Sequence, residues 1–401
     1  MAMTAGFAAI ERAGKETLAR NDAFTFWKLP EEFRAALGGS LRGSEAIAEW
    51  YLHEHYLAPA ARRPPSTMKY YYAVKRFIPR EMRNTMRAVV MSRPRVEFPA
   101  WPIETTLLDF WRGWLQSALA TIGATDSWRI APWPAPYRTA IVLTHDVESP
   151  LGVERMRAMA ELEDRYGFRS SWNVPLGQYP IDWAKFEELR AAGFEIGAHG
   201  LSHDGRLFRS RRDFLELEPR LERIAREHDL RGFRSPSTLR VAEWIAAMDF
   251  DYDASYSDVD PFEPQPGGSL SHFPFFLGSM VELPYTLPQD HTLLNVLHRD
   301  PLPVWESKAR WIAKRGGMIL VLTHPDYLWT DDYRSAYEEL LKRLADIEGA
   351  WRALPGEVAR WWRERSAMSL ELRDGAPAIS GAGAGRASAQ RLSDGPLWSE
   401  V

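Results

Sequence analysis

The chain has 401 residues, 45% of them hydrophobic, which is enough to bury the core of one large α/β domain with additions and excludes a wholly disordered chain. Its formal net charge of -4 is small for this length and does not favour nucleic acid or another strongly charged partner. Because cysteine is absent, disulfides and thiolate metal ligands are ruled out, and His, Asp and Glu remain as the side chains that could hold a metal.

The first 135 residues lack alternating strand patterns and predict a helical N-terminal extension rich in Trp and Tyr. No apolar stretch near the N-terminus has the length of a secretory signal. The most apolar helix candidate in this extension, residues 107–122, carries charged residues and is too short to span a bilayer. We therefore expect a soluble, cytoplasmic protein.

Within the extension, Lys69–Arg95 contains eight basic residues against Glu81 alone, interleaved with aromatic side chains. This basic segment could hold an anionic lipid headgroup or a lipid-linked glycan, which would place the protein at the inner membrane surface. The alternative, which we favour, is a solvated helix face that pairs with acidic groups on the rest of the protein. Nucleic-acid binding is disfavoured because no recognisable binding module is present.

From Thr139 onward, short apolar runs alternate with amphipathic helices, a pattern that predicts repeated βα units. The predicted strands are Ala140–Thr144, Ser170–Val174, Phe194–Ala198, Gly232–Arg234, Tyr252–Tyr256, Val281–Tyr285 and Met318–Thr323. The predicted helices between them are Val153–Tyr166, Trp183–Ala191, Arg211–His228, Val241–Met248 and Pro303–Arg315. No glycine-rich nucleotide loop follows Thr144, so the pattern favours a closed or nearly closed parallel barrel over an open sheet.

The predicted organisation has four parts: a helical extension over residues 1–135, a (β/α) barrel over 136–350, a C-terminal helix over 351–373 and a disordered tail over 374–401. The tail prediction depends on its Gly, Ala and Ser content, which offers little apolar surface for burial.

Polar residues follow several of the predicted strands, and in a parallel barrel these strand ends converge on one site. The residues are His145, Asp146 and Glu148 after the first strand, His199 and His203 after the third, Arg234 after the fourth and His324 after the last. His199 and His203 are four positions apart, so on a helical turn they share a face and could hold one metal with a carboxylate from the first strand. This combination is typical of a hydrolase.

The two carboxylates need different roles, because a general base must be free while a ligand is ionised against the metal. Along a strand, Asp146 and Glu148 point to the same side. The alternative for either is to cap the helix that begins near Leu151, an interpretation that carries more weight for Glu148 than for Asp146.

The order of these motifs resembles the polysaccharide deacetylases, carbohydrate esterase family four, also called the NodB homology domain. Thr144–Glu148 is similar to the family's T-F-D-D-G, His199–His203 to its H-S/T-x-x-H, and Arg234–Pro236 to its R-x-P. Tyr252–Tyr256 looks like the fourth motif, and Leu322–His324 looks like the L-x-H that ends the fifth. The resemblance covers about residues 138–345.

The resemblance implies a distorted (β/α) barrel of seven or eight units and metal-dependent removal of an N-acetyl group from an amino sugar, in a polysaccharide or its lipid- or nucleotide-linked precursor. Asp146 would be the general base, His324 the general acid and Arg234 the residue that orients the base. His199 and His203 would be metal ligands. Zinc suits such a set best, although Co²⁺, Mn²⁺ and Ni²⁺ also fit.

One departure bears on the metal site. Val147 stands where the family usually has its metal-binding Asp. By analogy with branches that carry D-x-D or D-x-E, Glu148 would replace that ligand, with Asp146 as the alternative.

Four further residues are predicted to bind substrate. Trp172 and Tyr256 are candidate aromatic platforms for a sugar, Pro236 belongs to the R-x-P motif, and Asp290 lies in a segment that follows a strand end and could line the groove. The alternatives are a core role for each aromatic residue and an ordinary loop around Asp290.

Two competing hypotheses remain. In the first, Val147 marks a lost metal site, and Asp146 with the histidines hydrolyses a C–N bond unaided on the same barrel. In the second, the barrel is catalytically inactive and binds glycan or serves as a scaffold. Metal content discriminates the metal-dependent from the metal-free enzyme.

Overall fold

A curled sheet of parallel strands forms the centre of the protein, which we describe from a computed structural model covering residues 21–65, 98–327 and 331–393. The strands are β1 Trp128–Ile130, β2 Thr139–Asp146, β3 Ser170–Val174, β4 Glu195–Ala198, β5 Gly232–Phe233, β6 Tyr252–Asp253, β7 Phe275–Leu277, β8 Met280–Glu282, β9 Met318–Thr323, β10 Ala350–Arg352, β11 Ser369–Arg373, β12 Ala376–Ser380 and β13 Ala389–Arg391. The α-helices are α1 Ala23–Trp27, α2 Arg34–Leu52, α3 Thr106–Thr121, α4 Pro150–Arg165, α5 Trp183–Ala191, α6 Arg211–Glu227, α7 Ala242–Ile245, α8 Leu302–Lys314, α9 Asp331–Ala345 and α10 Pro355–Ala367.

Seven strands run parallel in the order β9, β2, β3, β4, β5, β6 and β8. The antiparallel strand β7 lies outside β8, and β10 pairs with the first half of β2. After β8, the Thr286 backbone N–H donates to the Leu320 carbonyl of β9 at 3.0 Å, and the Thr286 hydroxyl donates to the Met318 carbonyl at 3.0 Å. Because these bonds join the two sides of the curled sheet, the predicted distorted (β/α) barrel is confirmed.

The local sequence explains why the first βα unit, strand β2 and helix α4, forms as it does. Every residue of β2 is buried, as expected for a central parallel strand covered by helices on its outer side. The chain then enters α4 at Ser149, whose hydroxyl accepts from the Gly152 N–H at 3.3 Å, with Pro150 at the first helical position. The carboxyl end of β2 is thereby fixed where the other strands also end.

The N-terminal part is helical over much of its described length, with α1, α2 and α3 packed into the same hydrophobic core as the barrel. The Trp27 indole N–H, for example, donates to the Trp111 carbonyl at 3.0 Å. The short strand β1 near the end of this part was not predicted. The basic segment Lys69–Arg95 lies outside the described residues. No helix in the described ranges is long and apolar enough to cross a membrane.

The prediction of a disordered tail from residue 374 is wrong for residues 374–393. Strand β12 pairs antiparallel with β11, and β13 pairs antiparallel with β1, with Trp128 opposite Arg391. The helix predicted over 351–373 occupies only Pro355–Ala367, since β10 precedes it and β11 follows it. Backbone pairing and the burial of Leu392 stabilise a segment whose own composition is poor in large apolar side chains.

Candidate metal centre and catalytic site

The carboxyl ends of four parallel strands bring the predicted catalytic and metal-binding residues together. They are Asp146 at the end of β2, Glu148 two residues later, His199 and His203 after β4, Arg234 after β5 and His324 after β9.

Glu148, His199 and His203 form a group with the chemistry of a metal site. One ligand atom from each lies within 4.8 Å of the others, and Glu148 Oε1 is 2.8 Å from His203 Nε2. His199 Nδ1 lies 3.1 Å from the Arg234 carbonyl oxygen and donates its proton there, because a carbonyl can only accept. The Nε2 lone pair of His199 is therefore available, and this buried atom has no hydrogen-bond partner in the described part of the chain.

The ionisation of these groups suits a cation. Burial lowers the pKa of His199 to about 4, so that its imidazole is neutral near pH 7. Burial alone would raise the pKa of Glu148, but the charge and hydrogen bond of His203 outweigh it and hold that pKa well below its usual value. A neutral imidazole and an ionised carboxylate are the forms that bind a divalent ion.

Asp146 has a different environment. Its Oδ1 accepts from Asn173 Nδ2 at 3.0 Å and from Arg234 Nη1 at 3.1 Å, while its Oδ2 lies 3.8 Å from His199 Nε2. Burial opposes ionisation, but electrostatic interactions with His199 and Arg234 keep the pKa of Asp146 below its usual value. Asn173 reaches this carboxylate because residue 197 is glycine, since a Cβ there would lie 2.3 Å from Asn173 Oδ1. The carboxylate is buried, oriented and ionised, as a general base requires.

His324 faces the same group from β9. Its Nε2 lies 3.9 Å from Glu148 Oε1, and its Nδ1 is 2.7 Å from Asp290 Oδ1. Asp290 Oδ2 also accepts from the His324 backbone N–H at 2.8 Å. Burial works against the charged imidazole, but the Asp290 carboxylate prevails and raises the pKa of His324 to about 10. His324 can therefore hold a proton at neutral pH.

Three residues that the sequence analysis did not single out support Glu148 and its neighbours. The Tyr327 hydroxyl donates to Glu148 Oε2 at 3.2 Å. The Gln178 side chain bridges the Glu148 carbonyl and the His203 N–H at 2.6 and 2.5 Å, and Tyr179 donates to the Val147 carbonyl at 2.6 Å. No motif in the sequence connects these positions, whereas Asn173 carried the signal of a polar residue at the end of the second apolar run.

The structure does not place the four predicted substrate-binding side chains at an open surface. Trp172 is fully buried on the side of β3 opposite Asn173, with its ring 4.3 Å from that of His145, because neighbouring residues on a strand point to opposite faces. Tyr256 is buried beneath the Arg240 guanidinium, which lies 5.1 Å from its ring centre. Both aromatic side chains are therefore packed in the hydrophobic core.

The other two residues predicted to bind substrate, Pro236 and Asp290, contact residues of the candidate site. Pro236 is buried against Gly200, where a Cβ would lie 2.8 Å from the proline ring, and so it packs on the turn between the two histidines. Asp290 is fully buried, and each of its oxygens accepts a hydrogen bond from His324.

Fold and site together define a parallel (β/α) barrel with a candidate His, His and carboxylate metal centre beside a free aspartate. No protein-family model matches the chain, and no curated protein sequence matches it. Similar solved structures include a protein from Mycobacterium smegmatis assigned as a polysaccharide deacetylase, with 17% identity and a TM-score of 0.48 over 58% of this chain and 92% of that one. Puue allantoinase has 14% identity and a TM-score of 0.48 over 58% of this chain and 93% of its own. The chitin deacetylase from Colletotrichum lindemuthianum has 14% identity and a TM-score of 0.37 over 56% and 88%. At this level of similarity, function has to be inferred from the side chains of this chain.

Proposed function

We propose that the protein is a metal-dependent hydrolase that removes an N-acetyl group from an amino sugar. The observation that carries the proposal is the buried Nε2 of His199, which has no hydrogen-bond partner in the described residues although its side chain is grouped with Glu148 and His203. A buried polar atom without a partner costs about 1 to 3 kcal/mol, and coordination of a cation by all three side chains would remove that cost.

Glu148, His199 and His203 would hold the ion. Two imidazoles and one carboxylate suit Zn²⁺ best, with Co²⁺, Mn²⁺ and Ni²⁺ as other divalent ions that fit. An ion bound there supplies Lewis acidity, which polarises the acyl oxygen and makes water easier to deprotonate.

The remaining chemistry belongs to the protein's own side chains. Asp146 Oδ2 accepts the proton of the attacking water, while Arg234 and Asn173 hold Oδ1 and so fix the direction of the carboxylate. His324 donates a proton to the departing sugar nitrogen, and Asp290 keeps this imidazole charged and in place. The proposed base and acid come from the ends of two neighbouring strands, β2 and β9.

The substrate proposal is an N-acetylated sugar in a polysaccharide or in its lipid- or nucleotide-linked precursor. The resemblance of the five motifs supports this class of substrate. We further propose that the protein is cytoplasmic and contacts a membrane or a lipid-linked glycan peripherally through the basic segment. The eight basic residues of Lys69–Arg95 support this contact.

The test is the metal content of the purified protein, measured by elemental analysis for wild type, Glu148→Ala and His199→Ala. Acetate release from N-acetylglucosamine oligosaccharides is measured in parallel. We expect about one equivalent of metal per wild-type chain, a large loss in both variants and activity that follows the metal content. His228→Ala is the matched control, because that ring stacks on Trp183 with 3.6 Å between ring centres, on helix α5 of the barrel exterior.

Wild type that takes up no metal after incubation with zinc or cobalt would contradict the proposal. If that metal-free protein still released acetate, the metal-independent C–N hydrolase would be correct. If it bound the oligosaccharide without hydrolysis, the inactive glycan-binding module would be correct.

A further inference from the structure

Glu54 is the second residue after the end of helix α2, and its backbone conformation is unfavourable for glutamate. Its φ is +57°, in the left-handed region where glycine or asparagine usually ends a helix. The turn is fixed by backbone hydrogen bonds from the Glu54 N–H to the Tyr51 carbonyl at 2.9 Å and from the His55 N–H to the Trp50 carbonyl at 2.7 Å. A glutamate in this place requires a compensating contribution from its side chain.

That contribution is a buried ion pair with the barrel. Glu54 Oε2 accepts from Arg240 Nε at 2.8 Å, and Oε1 accepts from Arg240 Nη2 and from the Gly268 backbone N–H, the latter at 2.7 Å. Both charged side chains are about 2 to 3% exposed. Residue 267 must be glycine here, because its φ is +142° and a Cβ would lie 2.4 Å from Glu54 Oε1. We call Glu54, Arg240 and Gly268 the Glu54 tether.

The tether is continuous with three segments beside the catalytic site, residues 236–240, 257–268 and 285–292, which we call the groove wall. Arg240 Nη1 donates to the carbonyls of Thr238 and Gln265 at 3.2 and 3.0 Å. The backbone N–H and carbonyl of Arg240 bond to the Gln265 side chain, both at 2.9 Å. The first two wall segments are therefore held by the same guanidinium that Glu54 neutralises.

Glu263 connects the second segment to the third. Its Oε2 accepts from the Thr238 hydroxyl at 3.3 Å, and its Oε1 accepts from Gln289 Nε2 at 3.0 Å and from the Thr292 hydroxyl at 3.4 Å. Gln289 precedes Asp290, which holds His324. The wall thus starts two residues after Arg234, which bonds to Asp146, and its last segment contains Asp290, the partner of the proposed general acid.

We infer that Glu54 is a positioning residue, through which the N-terminal helical part fixes the groove wall and so completes the substrate groove of the barrel. This inference depends on the proposed function for its substrate, but not for its structural part. The N-terminal helical part then contributes to the catalytic site by fixing the groove wall and is not an independent module. A fixed wall matters because misplacement of a group by about 1 Å can reduce an enzyme's efficiency about a hundredfold.

The experiment compares Glu54→Gln with Glu49→Gln as the matched control. Glu49 is also buried and lies on α2, but it accepts from Asn21 at 3.0 Å and pairs with His53, away from the groove wall. Hydrogen exchange of peptides covering 257–268 and 285–292 is measured with zinc content and with KM and kcat for acetate release. For Glu54→Gln we expect faster exchange in the wall, a KM raised about tenfold, little change in kcat and unchanged zinc content, whereas Glu49→Gln leaves the wall exchange and KM near wild type.

Glu54→Gln leaves the Arg240 charge buried without its counter-ion, so Glu54→Gln with Arg240→Met is the second variant. It removes the unpaired charge but does not restore the tether, and we expect the same rapid exchange in the wall. Unchanged wall exchange in both Glu54 variants, or an equal increase in Glu49→Gln, would overturn the inference. If wild type bound zinc but released no acetate, the proposed function would fail while the exchange data still decided the role of the tether.

Discussion

Replacement of Asp290 by asparagine tests how the site keeps a proton on His324. The Asp290 side chain is fully buried and that of His324 is 5% exposed, so solvent screens their interaction little. The rise of the pKa of His324 from 6.5 to about 10 corresponds to about 5 kcal/mol in favour of its charged form. In Asp290→Asn this contribution is lost, and burial then favours the neutral ring.

The sign of the pH effect follows from the raised pKa. In wild type, the pair stabilises the fold fully below about pH 6.5, and this contribution is lost as the pH rises toward 10. We therefore expect Asp290→Asn to lower the free energy of unfolding by about 3 to 5 kcal/mol near pH 6 and by less near pH 10. Since general acid catalysis contributes about 10² to 10⁴ in rate, kcat near pH 7 should fall within that range.

Two measurements check this prediction. NMR titration of His324 gives its pKa directly, and denaturant unfolding at pH 6 and pH 10 gives the stability difference. Asp300→Asn is the control, because the hydrogen bond that Asp300 accepts from the Leu302 N–H, at 3.0 Å, is exposed. A His324 that titrates at the same pH in Asp290→Asn and wild type would refute the reasoning, as would a variant with undiminished kcat.

Three further predictions follow from single contacts. Asn173→Ala removes the 3.0 Å hydrogen bond to Asp146, so kcat should fall about tenfold to a hundredfold and the acid limb of the pH–rate profile should move to higher pH, at unchanged zinc content. Val147→Asp places a carboxyl group in a fully buried apolar position and should lower the free energy of unfolding by about 2 to 7 kcal/mol without tighter zinc binding; a zinc titration that shows higher affinity would disprove this. Burial lowers the pKa of His272 to about 3, so its contribution to stability is present above about pH 6.5 and is lost as the pH falls; unfolding at pH 7 and pH 5 should differ by about 2 kcal/mol more in wild type than in His272→Phe.

The parallel strands were the most predictable part of the fold. Strands β3 and β9 have the predicted bounds, because each is a short run of residues buried on both faces between turn signals. The tail was mispredicted because its order comes from strand partners far away in the sequence. Strands β1 and β13 pair although they are about 260 residues apart in the sequence, and neither has a local sequence pattern that predicts this pairing.

The site was predictable as far as strand topology determines it. Asp146 ends strand β2, Arg234 and His324 directly follow β5 and β9, and the barrel topology alone brings such positions together. Substrate residues were not predictable by the same rule, since Trp172 and Asn173 are adjacent but point to opposite faces of β3. The bond between Asp290 and His324 joins a loop to a strand end, and only the tertiary structure shows it.

The position of Val147 bears on whether the barrel has lost its metal site. The Val147 N–H still bonds to the Asn173 carbonyl of β3 at 2.9 Å, so the alternation of strand β2 continues past its end. The valine side chain therefore enters the core, whereas Asp146 and Glu148 both face the histidines. Under the proposed function Glu148 supplies the carboxylate of the metal centre, and its Oε1 lies 2.8 Å from His203 Nε2. The departure from the family's first motif thus moves the proposed ligand by one residue, from 147 to 148.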